Sequence, residues 1–205
     1  MNKDYIGCEP EKVLKEVFGY DSFRLLQRKI ISNVLNKKDT LAIMPTGGGK
    51  SLCYQIPALI FDGITVVVSP LISLMQDQVD SLSASGVNAV FLNSTLDWDK
   101  YLESMNSIRR GETKILYVSP EGLSSPKIQD LLHDSCVKVS CITIDEAHCV
   151  SEWGHDFRPE FLEISAVRKQ FPNAVCLALT ATATAQVRAD IIQNLALKEP
   201  EVEIS

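Results

Sequence analysis

Apolar residues fall into two rhythms along this chain. Short continuous runs rich in Val, Ile and Leu recur at Thr40 to Ile43, Ile64 to Ser69, Asn88 to Leu92, Lys114 to Ser119, Val137 to Ile144 and Ala174 to Leu179. Each has the length and β-branched content of a buried strand. Ahead of them, apolar residues at Leu26, Ile30, Ile31, Val34 and Leu35 keep a helical period and predict a helix over Leu25 to Leu35, preceded by a shorter one over Glu9 to Val17. Leu52 to Leu59 reads as the first turns of a further helix, and Leu197 to Ser205 as a helix end and a short edge strand. The other strands are separated by stretches long enough for helices. Strand alternating with helix predicts a mostly parallel α/β sheet with right-handed crossovers, and runs without polar alternation predict cover on both faces. One domain over residues 1–205 is expected, with 1–38 as N-terminal helices; there is no internal repeat or low-complexity linker.

In a parallel sheet, ligands sit beyond the carboxyl ends of the strands, and the informative residues of this chain stand there. They are Thr46 to Ser51, Ser69-Pro70, Ser119-Pro120-Glu121, Asp145-Glu146-Ala147-His148 and Thr180-Ala181-Thr182. The first group, within Met44-Pro45-Thr46-Gly47-Gly48-Gly49-Lys50-Ser51, lies between a strand and a helix. Successive glycines allow a sharp turn that aims backbone N–H groups at one anion, and the helix N-terminus adds its positive dipole end. Lys50 is placed to reach terminal phosphates, and the Ser51 hydroxyl to hold Mg2+. A fuller phosphate-loop pattern has another glycine where Met44 stands, so the motif is the shorter Gly-x-Gly-Lys-Ser form. Asp145 and Glu146 end the apolar run Ile142-Thr143-Ile144. Beside a nucleotide, one carboxylate can hold the metal and the other can orient or deprotonate water.

Composition narrows the partners. Forty-five per cent apolar residues describe a soluble globular chain, and a net charge of −6 supplies no global basic field, so any nucleic-acid contact must be local. No apolar run approaches bilayer length and no signal-like segment follows Met1, so the expected location is the cytoplasm, the nucleoid in a bacterium or the nucleus in a eukaryote. Six cysteines occur without a C-x-x-C pair. Cys136, Cys141, His148 and Cys149 raise the question of zinc, but Cys141 falls in a strand and the spacing fits no common site; buried reduced thiols are expected.

Taken together, Met44 to Ser51, Asp145 to His148 and Thr180 to Thr182 resemble motifs I, II and III of superfamily 2 helicases. Three more segments narrow the resemblance to the RecQ family of DNA helicases. They are Phe18-Gly19-Tyr20 with Phe23-Arg24 and Gln27; Val67 to Met75 with Asp77-Gln78-Val79; and His148 through Trp153-Gly154-His155-Asp156-Phe157-Arg158-Pro159-Glu160. The resemblance implies a RecA-like domain binding ATP and Mg2+. In it Tyr20 stacks on adenine and Gln27 reads its Hoogsteen edge beside Arg24, while Thr46, Gly47, Gly48, Gly49, Lys50 and Ser51 cradle the phosphates. Asp145 and Ser51 hold magnesium, and Glu146 acts on the attacking water. His148 joins the nucleotide site to the third motif, where the hydroxyls of Thr180 and Thr182 hydrogen-bond it. Trp153, His155, Phe157 and Arg158 then belong to an aromatic-rich loop coupling DNA to hydrolysis, and Ser69 and Asn93 touch the DNA backbone.

The implied partner is single-stranded or 3′-tailed duplex DNA. Two departures stand out: Gly122 where the family often has Arg, removing one basic contact, and Leu25-Leu26 where it often has Pro-Gly. The family also continues into a second RecA-like domain that supplies an arginine finger, and residues 1–205 contain none of it; a monomer with feeble hydrolysis and no unwinding is expected. The alternatives are a phosphate-loop ATPase switch that never touches nucleic acid, and an inert interaction fragment.

Overall fold

The computed structural model describes residues 4–205, so the first three residues of the expected 1–38 segment lie outside the described residues. Two helices come first, α1 (Pro10–Phe18) and α2 (Gln27–Leu35). Pro10 suits the first helical position, where its missing N–H costs nothing. Gly19 ends α1 in the left-handed region at φ 75°, donating to the Lys15 carbonyl (3.1 Å) while Tyr20 N–H donates to the Leu14 carbonyl (3.3 Å). This paired cap fixes the exit direction of the chain. Helix α2 starts two residues later than its apolar period predicts. The Gln27 side-chain oxygen accepts from Arg24 N–H (2.8 Å) and holds 24–26 as a turn, with Leu25 exposed.

Next come β1 (Thr40–Ile43), α3 (Leu52–Ile60), β2 (Ile64–Val68), α4 (Ile72–Ala84) and β3 (Ala89–Phe91). They are followed by α5 (Trp98–Arg109), β4 (Ile115–Val118), and α6 (Pro120–Leu123) with α7 (Pro126–Leu132). After β5 (Val139–Ile144), 3₁₀ turns at Ala147–Val150 and Pro159–Glu163 lead into α8 (Ile164–Lys169), then β6 (Val175–Thr180), α9 (Ala185–Asn194) and β7 (Glu201–Ile204). The strands form one sheet in the order β3-β4-β2-β5-β6-β1-β7, and every neighbouring pair is parallel.

Period-two alternation deals the strand residues to two cores. Leu41, Ile43, Val66, Val68, Leu116, Val118, Ile142 and Ile144 face the layer containing α5, α7, α8 and α9. Ala42, Val67, Ile115, Tyr117, Cys141, Leu177 and Leu179 face α1 to α4. Both faces are thus covered, which is why these strands read as unbroken apolar runs. Phe161, immediately after the aromatic-rich segment ending at Glu160, is fully buried in the first of these cores. Thr180 is the last residue of β6 rather than the start of the loop after it, and it is fully buried.

Candidate nucleotide and nucleic-acid site

The strand order makes the carboxyl ends of β2, β5, β6 and β1 consecutive along one rim. The loop after β1 therefore stands beside the end of β6, and Met44 N–H donates to the Thr180 carbonyl at 3.0 Å. Gly47 and Gly49 take φ of 79° and 80°, and a Cβ at Gly48 would come within 2.9 Å of the Pro45 carbonyl oxygen. A Cβ at Gly49 would collide with the Gln27 amide. The glycines of the loop are thus a steric requirement as well as a conformational one. Thr46 and Gly47 are exposed, Lys50 and Ser51 half-buried, and the Lys50 ammonium is turned back onto the Met44 carbonyl (3.3 Å).

A cleft of about 310 Å3 opens beside the loop, lined by Tyr20, Arg24, Gln27, Gly49 and Ser51 together with α1 and α4 residues. The cap of α1 delivers Tyr20 there, half exposed. Arg24 donates to the Gly47 carbonyl (3.0 Å), and Gln27 Nε2 to the Gly49 carbonyl (3.1 Å). Gln27 is buried and ties the cleft wall to the loop. Its amide keeps one N–H and one lone pair uncommitted.

Across from the loop, Asp145 follows β5, with its N–H on the Val68 carbonyl (2.9 Å) and its Oδ1 accepting from Glu146 N–H (2.9 Å). Burial, reinforced by the neighbouring Glu146 charge, raises its carboxyl from 3.8 to about 6, and Lys50 opposes the rise only in part. No salt bridge relieves it among the described residues. A half-buried carboxylate without a salt bridge fits a divalent cation, and Ser51, on the facing loop, is a hydroxyl ligand of the right kind. Glu146 adopts φ 52°, an uncommon conformation for a side-chain-bearing residue and one that concentrates at functional sites. It aims its carboxylate at His148, 3.4 Å from Nδ1.

His148 is buried, and its pKa is lowered chiefly by that burial. Thr180 Oγ1 spends its single proton on the Thr182 carbonyl (3.1 Å), so at 2.8 Å His148 Nδ1 is the donor to Thr180. The neutral ring therefore carries its proton on Nδ1, where Glu146 also favours it. The expected pair of threonine hydroxyls is corrected to one: Thr180 meets the imidazole, and Thr182 contributes its carbonyl instead. The other face of the ring stacks on His155 (centroids 4.2 Å, interplanar 18°), and Nε2 lies 3.7 Å from the Cys149 thiol, which in turn faces Asp156 (3.9 Å). Asp156 pairs with Arg158 at 3.0 Å. Burial pushes the Cys149 thiol up to about 12, as it does that of Cys141 within β5, so both are protonated thiols.

A chain of contacts thus runs from Glu146 through His148 and His155 into the loop that exposes Trp153 (76%) with Phe157 half-buried. That loop is pinned by Ser151, which donates to Asp190 (2.6 Å) and accepts from Trp153 N–H (3.2 Å). A Cβ at Gly154 would lie 2.6 Å from the His148 carbonyl, so only glycine lets the loop close on the histidine. Sequence reasoning missed the His155 stack, the role of Asp156 and the reason for Gly154. Only the glycine between Trp153 and His155 was a legible signal.

Ser69 and Asn93 lie farther along the rim, at the ends of β2 and β3. Ser69 Oγ accepts from Leu71 N–H (3.2 Å), while Asn93 Oδ1 accepts from Thr95 N–H (2.9 Å) and Oγ1 (2.5 Å). Both side chains shape their turns, so their expected contacts to a DNA backbone fall to the remaining Asn93 N–H groups and to the turn backbone.

The DEAD/DEAH box helicase family matches residues 24–191. The chain is 52% identical over 91% of its length to the ATP-dependent DNA helicase RecQ of Haemophilus influenzae, covering 30% of that protein. It is 46% identical over 92% of its length to the RecQ of Bacillus subtilis, covering 32%. The chain therefore spans about a third of these relatives. The fold is similar to that of the helicase MrfA bound to DNA (TM-score 0.77, 18% identity, 99% of this chain and 30% of that one). It is also similar to that of the DEAD-box helicase Mss116 bound to single-stranded RNA (TM-score 0.71, 19% identity, 98% and 43%). A glycine-rich loop facing an Asp-Glu-Ala-His turn across a parallel sheet rim, with RecQ-type sequence over nine-tenths of the chain, places this protein in the DEAD/DEAH box helicase family.

Proposed function

We propose that this chain is the ATP-binding motor domain of a RecQ-like DNA helicase, whose parent protein couples ATP hydrolysis to 3′-to-5′ unwinding of DNA in repair and recombination. The observation that carries the reading is Asp145, desolvated and without a salt bridge opposite the phosphate loop, joined through Glu146 and His148 to an exposed aromatic loop. Storage of a nucleotide needs a metal ligand; it does not need a base wired to a distant surface.

In this reading the loop N–H groups and Lys50 hold the phosphates, Ser51 and Asp145 hold Mg2+, and Tyr20 stacks on adenine with Gln27 and Arg24 closing the cleft. Bound Mg2+ neutralises charge on the phosphates. Glu146 takes the proton of the attacking water, and His148, carrying its own proton on Nδ1, holds Glu146 oriented and reports its position to Thr180 and His155. Trp153, Phe157 and Arg158 engage unpaired bases, which suits a chain whose net charge is −6, because stacking and neutral phosphate contacts need no basic field. The relatives named above are DNA helicases by title, which supports DNA over RNA, and a cytoplasmic or chromosome-associated location follows from that partner. Among the described residues no helix is long and apolar enough to cross a membrane.

Residues 1–205 by themselves bind MgATP weakly, hydrolyse it slowly and do not unwind. An arginine supplied from a second domain is worth about 10³ to 10⁵ in rate. The test is ATP hydrolysis after addition of a second RecA-like domain, with and without single-stranded DNA. DNA stimulation that Trp153→Ala removes, and hydrolysis that Glu146→Gln abolishes, are the expected results. Hydrolysis indifferent to DNA would leave a phosphate-loop ATPase and end the helicase reading.

A further inference from the structure

On the same rim, beyond β3 and β4, an apolar groove of about 380 Å3 lies between the Asn93 turn and helices α5 to α7, outside the nucleotide cleft and the Trp153 loop. Its walls are Asn93, Ser94, Trp98, Tyr101, Gly122 and Lys127. Trp98 and Tyr101, one turn apart on α5, stack with their rings nearly parallel (10°, centroids 5.9 Å), so Trp98 is backed by Tyr101 and held in a fixed plane. Tyr101 is anchored against the core, whereas Trp98 remains 57% exposed. The Lys127 ammonium stands 4.7 Å over the Trp98 ring and 5.9 Å from Tyr101. No carboxylate forms a salt bridge with Lys127 among the described residues; Asp97, at the start of the same helix, is taken by Lys100 (3.4 Å). Gly122 adds no side chain, so the groove stays open towards the Asn93 turn.

A stacked aromatic pair with an ammonium lying over its exposed ring, held there by no carboxylate, is complementary to one ligand chemistry, a π face bearing an adjacent anion, which is a nucleotide of an unstacked strand. A base inside a duplex presents no free face. The groove is continuous with the Asn93 turn, and that turn is tied to the neighbouring strand end by Leu92 N–H on the Tyr117 carbonyl (3.1 Å), as Ser69 N–H is tied to the Val118 carbonyl (3.0 Å). A strand crossing Ser69 and Asn93 therefore runs directly into it. We propose that the Trp98–Tyr101–Lys127 groove is a second base-stacking subsite for single-stranded DNA, separate from the Trp153 loop. One base lies on Trp98 as Lys127 swings from the ring to that nucleotide's phosphate. The proposal rests on the DNA reading above and adds to it a place where the unpaired strand is gripped at the β3 end of the rim.

The test is oligothymidylate binding at low salt by wild type, Trp98→Ala, Trp98→Phe, Lys127→Ala and Asn93→Ala, with fluorine NMR of the fluorotryptophan-labelled chain. Only two tryptophans exist, so Trp98 and Trp153 give separate reporters. Trp98→Ala is expected to weaken binding about five- to a hundredfold, the loss of one stacked base, with Trp98→Phe keeping most of the affinity. Lys127→Ala should lower the slope of log affinity on log salt by about one phosphate contact. The Trp98 resonance should shift with thymidylate but not with an abasic strand of equal charge. If Trp98→Ala binds as wild type and the Trp98 resonance of the wild-type chain stays still while Asn93→Ala weakens binding, the subsite is wrong and the DNA reading stands. If the wild-type chain binds no single-stranded DNA, both fall.

Discussion

Two carboxylates at opposite ends of the same sheet, Asp39 and Asp145, differ in how fully their surroundings satisfy them. Asp39 precedes β1 and accepts from the Arg168 guanidinium, from Cys176 N–H (2.9 Å) and from Lys198 N–H (2.8 Å). Arg168 also donates to the Leu195 and Ala196 carbonyls, so this one pair stitches β1, β6, α8 and the turn before β7 together beside a cleft of about 750 Å3. Asp145 is half-buried, its acceptor bond comes only from the next residue's N–H, and its carboxyl is pushed up to about 6. The edge that has no chemistry to perform satisfies its charge. The rim facing the glycine-rich loop leaves Asp145 without a salt bridge, an arrangement that suits a cation.

The comparison breaks most visibly at Asp39. Asp39→Ala strands the Arg168 guanidinium in the interior, and removing one partner of a buried pair costs about 3–5 kcal/mol. A large fall in Tm, or insoluble chain, is expected in thermal denaturation.

Asp145→Asn should act in the opposite direction. With its carboxyl raised from 3.8 to about 6, the folded chain holds a proton that the unfolded chain has already lost, so this group's contribution to stability declines as pH climbs through that interval. The amide keeps the bond from Glu146 N–H and removes the penalty, worth about 3 kcal/mol at neutral pH. Tm should rise several degrees above wild type at pH 7 and match it near pH 4, while hydrolysis is lost.

A third change sharpens the coupling side of the rim. Gly154→Ala forces the loop backbone off the His148 carbonyl, and DNA stimulation of hydrolysis should drop on the order of tenfold. The smallest effect is expected at Ser119, whose Oγ accepts from Gly122 N–H (3.0 Å) as an ordinary helix cap. Ser119→Ala should cost about 1 kcal/mol of stability, read by denaturant melts, and move no kinetic constant.

The α/β class, the parallel order and the strand positions were legible because each strand is buried on both faces and so reads as an unbroken run. Boundaries slipped by a residue or two, at Leu25 and at Thr180, where side-chain hydrogen bonds rather than hydrophobicity decide the end. The Ser-Pro pairs that cap α6 and α7, Ser119-Pro120 and Ser125-Pro126, are visible sequence signals for helices the periodicity left unplaced. The glycine-rich loop after β1 and the Asp145-Glu146 pair after β5 were placed correctly from residue type and strand context. The role of Asp39 was not, since a lone acid after two lysines looks like a solvated turn until Arg168, far along the chain, folds onto it. The stack of His155 on His148 and the Trp98 groove were likewise hidden, because each depends on segments that meet only in three dimensions.

The central claim is that Asp145 is kept without a counterion so that it can take Mg2+ with a nucleotide. The most direct measurement is the affinity of the chain for a fluorescent ATP analogue with and without Mg2+, in wild type and Asp145→Asn. The account predicts that Mg2+ tightens binding to the wild type and that Asp145→Asn loses this increment while retaining the Mg2+-free affinity set by the loop, Lys50 and the Tyr20 cleft. Equal Mg2+ dependence in the two proteins would contradict it.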